Sequence, residues 1–213
     1  MKRLLLVLSA PSGGGKTTIA RKLLQVRNDL GYSVSATTRA MRNGEKEGVD
    51  YYFLKRHEFE RRRDQHEFLE WAEYGGQLYG TLKREIEGIL SQGRHAVLDV
   101  DIEGARQIRG NLSHSLQVFV LPPSAEVLIE RLKGRNTENR DLLRKRLTRA
   151  SEELNAVAEY DYAIVNQDLV TAVTEVSAIL DGKAEEHLVS RQQNLPGVIE
   201  RLRRDVVKAA EKI

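Results

Sequence analysis

The stretch that most limits what this chain can become lies at residues 4–18. Leu4-Leu5-Leu6-Val7-Leu8 is an unbroken apolar run ended by Ser9, the pattern of a parallel strand buried on both faces. Ala10-Pro11-Ser12-Gly13-Gly14-Gly15 then reads as a glycine-rich turn. Lys16-Thr17-Thr18 open a helical pattern in which Ile19, Leu23, Leu24 and Leu30 share a face, with Gly31 expected to end the helix. Strand, turn and helix in that order form a cradle for phosphate. Glycines let successive N–H groups converge on an anion, and the helix start adds positive potential. The consensus loop is Gly-x4-Gly-Lys-Ser/Thr, and Ala10 occupies its first glycine position. Alanine is acceptable there with a negative φ and strained with a positive one. In such a loop Lys16 reaches the β and γ phosphates and Thr17 offers a hydroxyl to Mg2+. The implication is nucleoside triphosphate binding. The reaction stays open, because GTPases, motor ATPases and small-molecule kinases share the loop.

Further along, apolar segments of both periods alternate. Helices are expected over 82–90, 104–112, 124–132, 141–160, 169–180 and 197–212, and strands over 95–100, 116–121 and 162–166. Alternation of this kind predicts an α/β protein, a P-loop parallel sheet with helices on both faces. Residues 33–81 break the pattern with short β-like pieces at 33–35, 51–54 and 77–79 and a weak helix at 58–67. Five of the seven tyrosines fall at positions 32–79. We therefore expect a core built from 1–32, 82–133 and 160–213, an inserted mixed β/α lobe at 33–81, and a polar stretch with its following helix at 134–159.

Composition removes several classes. The 213 residues include no cysteine, which excludes disulfide scaffolds, cysteine nucleophiles and thiolate metal sites and suits a reducing cytoplasm. No run approaches the ~20 apolar residues of a membrane span, and the apolar start is too short for a secretory signal. The expected location is cytoplasmic, with no membrane partner. Net charge is only +3, from 34 basic and 31 acidic residues with both signs interspersed. Nucleic-acid binders concentrate charge on one face, so no nucleic-acid partner is expected. Arginine outnumbers lysine 23 to 11, a bias that favours phosphate ligands.

Past the loop come Ser33-Val34-Ser35-Ala36-Thr37-Thr38-Arg39, then Arg42, Gly44-Glu45, Gly48 and Tyr51-Tyr52-Phe53. Phe68-Leu69-Glu70-Trp71-Ala72, Tyr79-Gly80-Thr81 and Leu98-Asp99-Val100-Asp101-Ile102-Glu103-Gly104 follow in order. From about residue 4 to residue 181 this series resembles the guanylate kinases, nucleoside monophosphate kinases of the P-loop fold. The chain departs from the family pattern at Met41, where proline is usual, at Asn136 after Arg135, where glycine is common, and at Gln167 after Asn166, where aspartate is usual.

The resemblance implies transfer of the γ-phosphoryl group of ATP to GMP, giving ADP and GDP, in purine nucleotide metabolism. It implies Mg2+ with ATP as co-substrate, and a mobile lid at 134–159. It assigns ATP binding to Ala10, Pro11, Ser12, Gly13, Gly14, Gly15, Lys16, Thr17, Thr18 and Asn166. Arg39, Arg42, Tyr51 and Tyr79 are assigned to the GMP phosphate, Glu70, Ser35 and Thr81 to the base, and Asp101 to the acceptor pocket. Lys16, Arg39 and the lid arginines Arg135 and Arg146 are the expected catalytic set, and Thr17 and Asp99 the metal set. The roles of Asp99 and Asp101 are interchangeable at this level.

These residue types suit the chemistry. Guanidinium forks clamp phosphate oxygens. Guanine presents N1–H beside a 2-amino group, which one carboxylate matches with two oxygens, while adenine offers neither. The acceptor is already an anion, so no general base is required. Three competitors remain: a related kinase with another acceptor, a guanylate-kinase-like peptide-binding module without chemistry, and a nucleic-acid-binding ATPase suggested only by Arg201, Arg203 and Arg204. Glu70 speaks against the first, and the loop with Lys16 and Thr17 against the second. The oligomeric state is open, a homo-oligomer included.

Overall fold

The computed structural model describes residues 3–112, 114–133 and 140–212. Arg135 and Asn136 lie outside the described residues. The chain runs β1 (Leu5–Ser9), α1 (Lys16–Val26), β2 (Leu30–Tyr32), β3 (Ala36–Thr37), β4 (Tyr52–Phe53), α2 (Arg56–Asp64), β5 (Phe68–Tyr74), β6 (Gln77–Leu82) and α3 (Lys83–Ser91). It continues with β7 (His95–Asp99), α4 (Ile102–Asn111), β8 (Ser115–Leu121), α5 (Ala125–Lys133), α6 (Arg140–Glu153), β9 (Tyr162–Val165), α7 (Leu169–Leu180) and α8 (Leu195–Glu211). Among the described residues no helix is long and apolar enough to cross a membrane.

Two sheets organise these elements. The five-stranded sheet has the order β2-β7-β1-β8-β9, with β2 parallel to β7 and β8 parallel to β9. All five residues of β1 are buried, as an unbroken apolar run in a helix-covered sheet must be. The four-stranded sheet, β4-β3-β6-β5, is mixed and comes entirely from residues 36–82. It has its own core of Ala36, Phe59, Phe68, Leu78 and Leu82, in which Phe59 stacks on Phe68 with ring centroids 4.3 Å apart.

By internal contacts the chain divides into two compact units, one of residues 1–7 with 24–116, the other of 8–23 with 117–213. The first contains the whole four-stranded sheet and α4. The second contains the glycine-rich loop and a core in which Leu128, Leu132, Leu143, Leu147 and Val206 of α5, α6 and α8 are buried together.

Several expectations need correction. The helix after the loop stops at Val26, and Leu30-Gly31 belong to strand β2. Arg27 grips Asp29 through Nε and Nη2, at 3.0 and 2.7 Å, which closes a turn where the helix was expected to continue. Leu30 is then spent on the sheet, paired with His95. Gly31 serves close packing and is no helix cap: a Cβ there would lie 2.6 Å from Cγ2 of Ile89. We expect Gly31→Ala to destabilise the protein by about 1–3 kcal/mol, read as a lower urea midpoint at unchanged slope.

Residues 33–35 are not a strand. The long charged helix ends at Glu153, and a 3-10 segment, Leu154–Glu159, follows because Leu154, Ala156 and Val157 must all turn inward. Pro196 lies within the first turn of α8, where its missing N–H costs nothing.

Candidate functional site

The glycine-rich loop links β1 to α1 in the second unit. Gly13 and Gly15 have φ of 85° and 96°, a region that side chains avoid. Ala10 does not: among the described residues His66 is the one non-glycine with positive φ, so alanine is unstrained at the first loop position. Instead Ala10 and Gly14 trade volume, since a Cβ on Gly14 would lie 2.6 Å from the Ala10 Cβ. The Gly14 N–H donates to the Pro11 carbonyl at 2.8 Å and tightens the turn.

Side chains distant in sequence brace this loop. Asn166, buried at the end of β9, donates through Nδ2 to the Gly14 carbonyl at 3.0 Å, and Arg131 donates to the same carbonyl at 3.3 Å. The Ser12 N–H donates to Oε2 of Glu153 at 2.9 Å, while Arg149 holds the other oxygen of Glu153 at 2.8 Å. Arg131 and Glu153 were not expected, and nothing in their spacing marks them. Thr18 is exposed. Arg146, on α6, has Nη1 buried without a hydrogen-bond partner among the described residues, a free donor of the kind an anion satisfies.

The residues expected to bind the acceptor belong to the first unit. Register brings residues 70 and 81 together. Ala36 pairs with Gly80 and Thr37 with Tyr79, while Ser35, just before β3, accepts through its carbonyl from the Tyr52 N–H at 2.9 Å. Thr81 in turn pairs with Glu70, because a bulge between Phe68 and Glu70 shifts β5 by one residue. Of the three expected base-reading residues, Glu70 and Thr81 thus form one cross-strand pair, and Tyr79 follows two residues from Thr81 on the same face.

Glu70 is 6% exposed and Thr81 fully buried. The Thr81 hydroxyl donates to Oε1 of Glu70 at 2.6 Å. Asp101 caps α4, its Oδ1 accepting from the Gly104 N–H at 2.9 Å. Burial pushes the Glu70 carboxyl up from 4.5 to about 7; the Thr81 hydrogen bond opposes the shift and the nearby Asp101 charge adds to it.

This shift has a stability consequence. Between pH 4.5 and about 7 the folded state keeps the proton that the unfolded chain has released. Stability therefore declines as pH rises through that window, by roughly 3 kcal/mol from Glu70 alone. We expect urea melts of the ligand-free protein to show this decline, and the Glu70→Gln variant to lose that part of it.

Arg39 is engaged rather than open. Its guanidinium makes a bidentate pair with Glu45 at 3.0 and 2.7 Å, and Glu45 also accepts from the Arg42 N–H at 2.8 Å. The Arg39 fork holds the Glu45 carboxyl below its ordinary range. Tyr51 lies under Arg39, whose guanidinium is 5.4 Å from the ring centroid, and meets Tyr79 edge-on at 6.1 Å. Burial raises the Tyr51 hydroxyl, which keeps it a neutral donor. Arg39, Arg42, Tyr51 and Tyr79 are thus one cluster organised around Glu45. At the end of β7, Asp99 accepts from the Tyr32 hydroxyl at 2.6 Å, a partner that sequence reasoning missed.

Comparison with known proteins shows which family the chain resembles. The guanylate kinase family model matches residues 2–183. Curated guanylate kinases from Carboxydothermus hydrogenoformans and Chlorobium chlorochromatii are 44% and 47% identical to this chain. They span 84% and 83% of it, and 88% and 93% of their own lengths. A guanylate kinase from Clostridioides difficile is 40% identical over 96% of this chain and 98% of its own. The crystal structure of guanylate kinase from Anaplasma phagocytophilum superposes with a TM-score of 0.70 at 34% identity, covering 92% of this chain and 94% of that one. With the braced phosphate loop, the buried Glu70–Thr81 pair and these matches together, the chain belongs to the guanylate kinase family.

Proposed function

We infer that the chain transfers the γ-phosphoryl group of ATP to a phosphate oxygen of GMP, releasing ADP and GDP, and that Glu70 selects the base. The observation that carries this reading is the buried Glu70 carboxylate beside Thr81. With Oε1 already accepting from the threonine, the carboxylate keeps lone pairs for two adjacent N–H donors, and guanine has that pair. Adenine would leave a buried carboxylate facing a ring nitrogen, a costly mismatch.

The remaining roles follow from charge. The loop amides and Lys16 hold the donor phosphates, with Asn166 and Arg131 keeping the loop closed on its own carbonyl. Arg39, Arg42, Tyr51 and Tyr79 hold the acceptor phosphate, which competes with Glu45 for the Arg39 fork. Arg146 offers a further donor to the triphosphate. Positioning and charge neutralisation carry the rate, because the acceptor oxygen needs no deprotonation.

Mg2+ fits the donors present. Thr17 and Asp99 supply hard oxygens, the donor type Mg2+ takes, and such an ion completes its shell with water and substrate phosphates. When bound it neutralises phosphate charge. Small-molecule substrates suffice for this reading, which assigns no nucleic-acid or membrane partner and a cytoplasmic location. The test is an acceptor panel of GMP, AMP, UMP and CMP with ATP as donor. GMP must exceed AMP by on the order of 10⁴ in kcat/KM; comparable rates would overturn the reading.

A further inference from the structure

Strand β5 is the edge of the four-stranded sheet, so among the described residues one side of its backbone has no neighbouring strand. Helix α4 supplies the missing partner with side chains. Gln107 accepts from the Trp71 N–H through Oε1 at 3.1 Å and donates through Nε2 to the Trp71 carbonyl at 2.9 Å. Asn111 donates through Nδ2 to the Leu69 carbonyl at 2.8 Å. Trp71 and Leu69 are the two neighbours of Glu70, so its peptide backbone is pinned on both sides.

The same helix also shapes the space of the Glu70 side chain. A Cβ on Gly104 would lie 3.0 Å from Oε2 of Glu70, tighter than a carbon tolerates without movement. Gly104, Gln107 and Asn111 stand at i, i+3 and i+7, one stripe of α4. The helix starts at Asp101, which caps it. Gly104 has no positive φ that would call for glycine, and glycine weakens a helix interior, so its presence answers to space alone.

We propose that Gln107 and Asn111 are positioning residues for guanine recognition, holding β5 so that the Glu70 carboxylate meets the base at hydrogen-bonding distance. The proposal rests on the reading of Glu70 given above. It also explains why the clamp sits beside a bulge: a shifted register is otherwise free to slip, and a slip by one residue would turn Glu70 to the other face.

The test compares GMP with IMP, which lacks the 2-amino group, as acceptors for the wild type, Gln107→Ala and Asn111→Ala. We expect each variant to lower kcat/KM for GMP about tenfold, mainly through KM, and to lower it for IMP less than threefold. The GMP/IMP preference then shrinks, while KM for ATP is unchanged. A purely structural role would lower both acceptors alike. Phe59→Leu, which weakens the core of the same sheet without touching α4, is the control for that outcome. Should Gln107→Ala fail to fold, Gln107→Glu keeps the acceptor for the Trp71 N–H and removes the donor to its carbonyl, and must shift the preference in the same direction. Equal loss on both acceptors, or none, overturns the proposal. A wild type that does not prefer GMP to IMP overturns instead the assignment of Glu70 to guanine.

Discussion

Glu70→Gln lowers kcat/KM for GMP by on the order of 10³–10⁴ and erases most of the preference over AMP. The side chain keeps its size and one carbonyl oxygen, but presents an NH2 group to a base that offers two donors. Thr81, whose hydroxyl donates to Oε1 of Glu70, competes for the oxygen that remains. Donor therefore faces donor in a buried site, where water cannot repair the mismatch. The fold itself should gain. At pH 8 the wild type carries a buried carboxylate with its pKa raised to about 7, and the amide removes that burden. Loss of guanine selectivity together with a higher urea midpoint is the expected signature. A variant that still prefers GMP by the wild-type margin would remove Glu70 from base reading.

Lys16→Ala lowers kcat by at least ~10³ while GMP binding, followed by calorimetry without ATP, stays within a few-fold of the wild type. Lys16 is the first residue of α1, at the point where loop amides and the helix N-terminus already create positive potential. Its ammonium adds a full positive charge to the loop, which under the proposed transfer neutralises charge developing on the phosphoryl oxygens. Alanine leaves the backbone cradle intact, because the braces of the loop run through Asn166, Arg131 and Glu153. The effect should therefore fall on turnover and ATP handling, with little change in stability. Retained turnover in a coupled assay would take Lys16 out of the transfer step.

Most of the architecture was readable in the chain because its signals are local. An apolar run ending in Ser9, a glycine turn and Lys16-Thr17 dictate strand, loop and helix through φ/ψ limits and burial alone. Helix α7 falls at the expected residues because its apolar period and the Asp168 cap coincide. Leu30-Gly31 misled, since a leucine in helical register followed by glycine looks like a helix end. The Arg27–Asp29 turn and the close approach of Ile89 that decide otherwise are contacts between side chains and with a distant helix.

The residue types on which the proposed function rests were likewise legible: a glycine-rich loop, a set of arginines, and a glutamate within the motifs of the guanylate kinase family. Their working state was not. Whether Glu70 is solvated or buried depends on a bulge that aligns it with Thr81, eleven positions along the chain, and on α4 packing against it from further still. That Arg39 is already paired with Glu45, that Asp99 leans on Tyr32, and that Gln107 completes the edge of β5 are outcomes of packing. Sequence by itself specified which chemical groups this protein carries and the local backbone that presents them. Tertiary structure alone decided their burial, partners and protonation, because desolvation and hydrogen bonding act through neighbours in space, which the order of residues along the chain does not name.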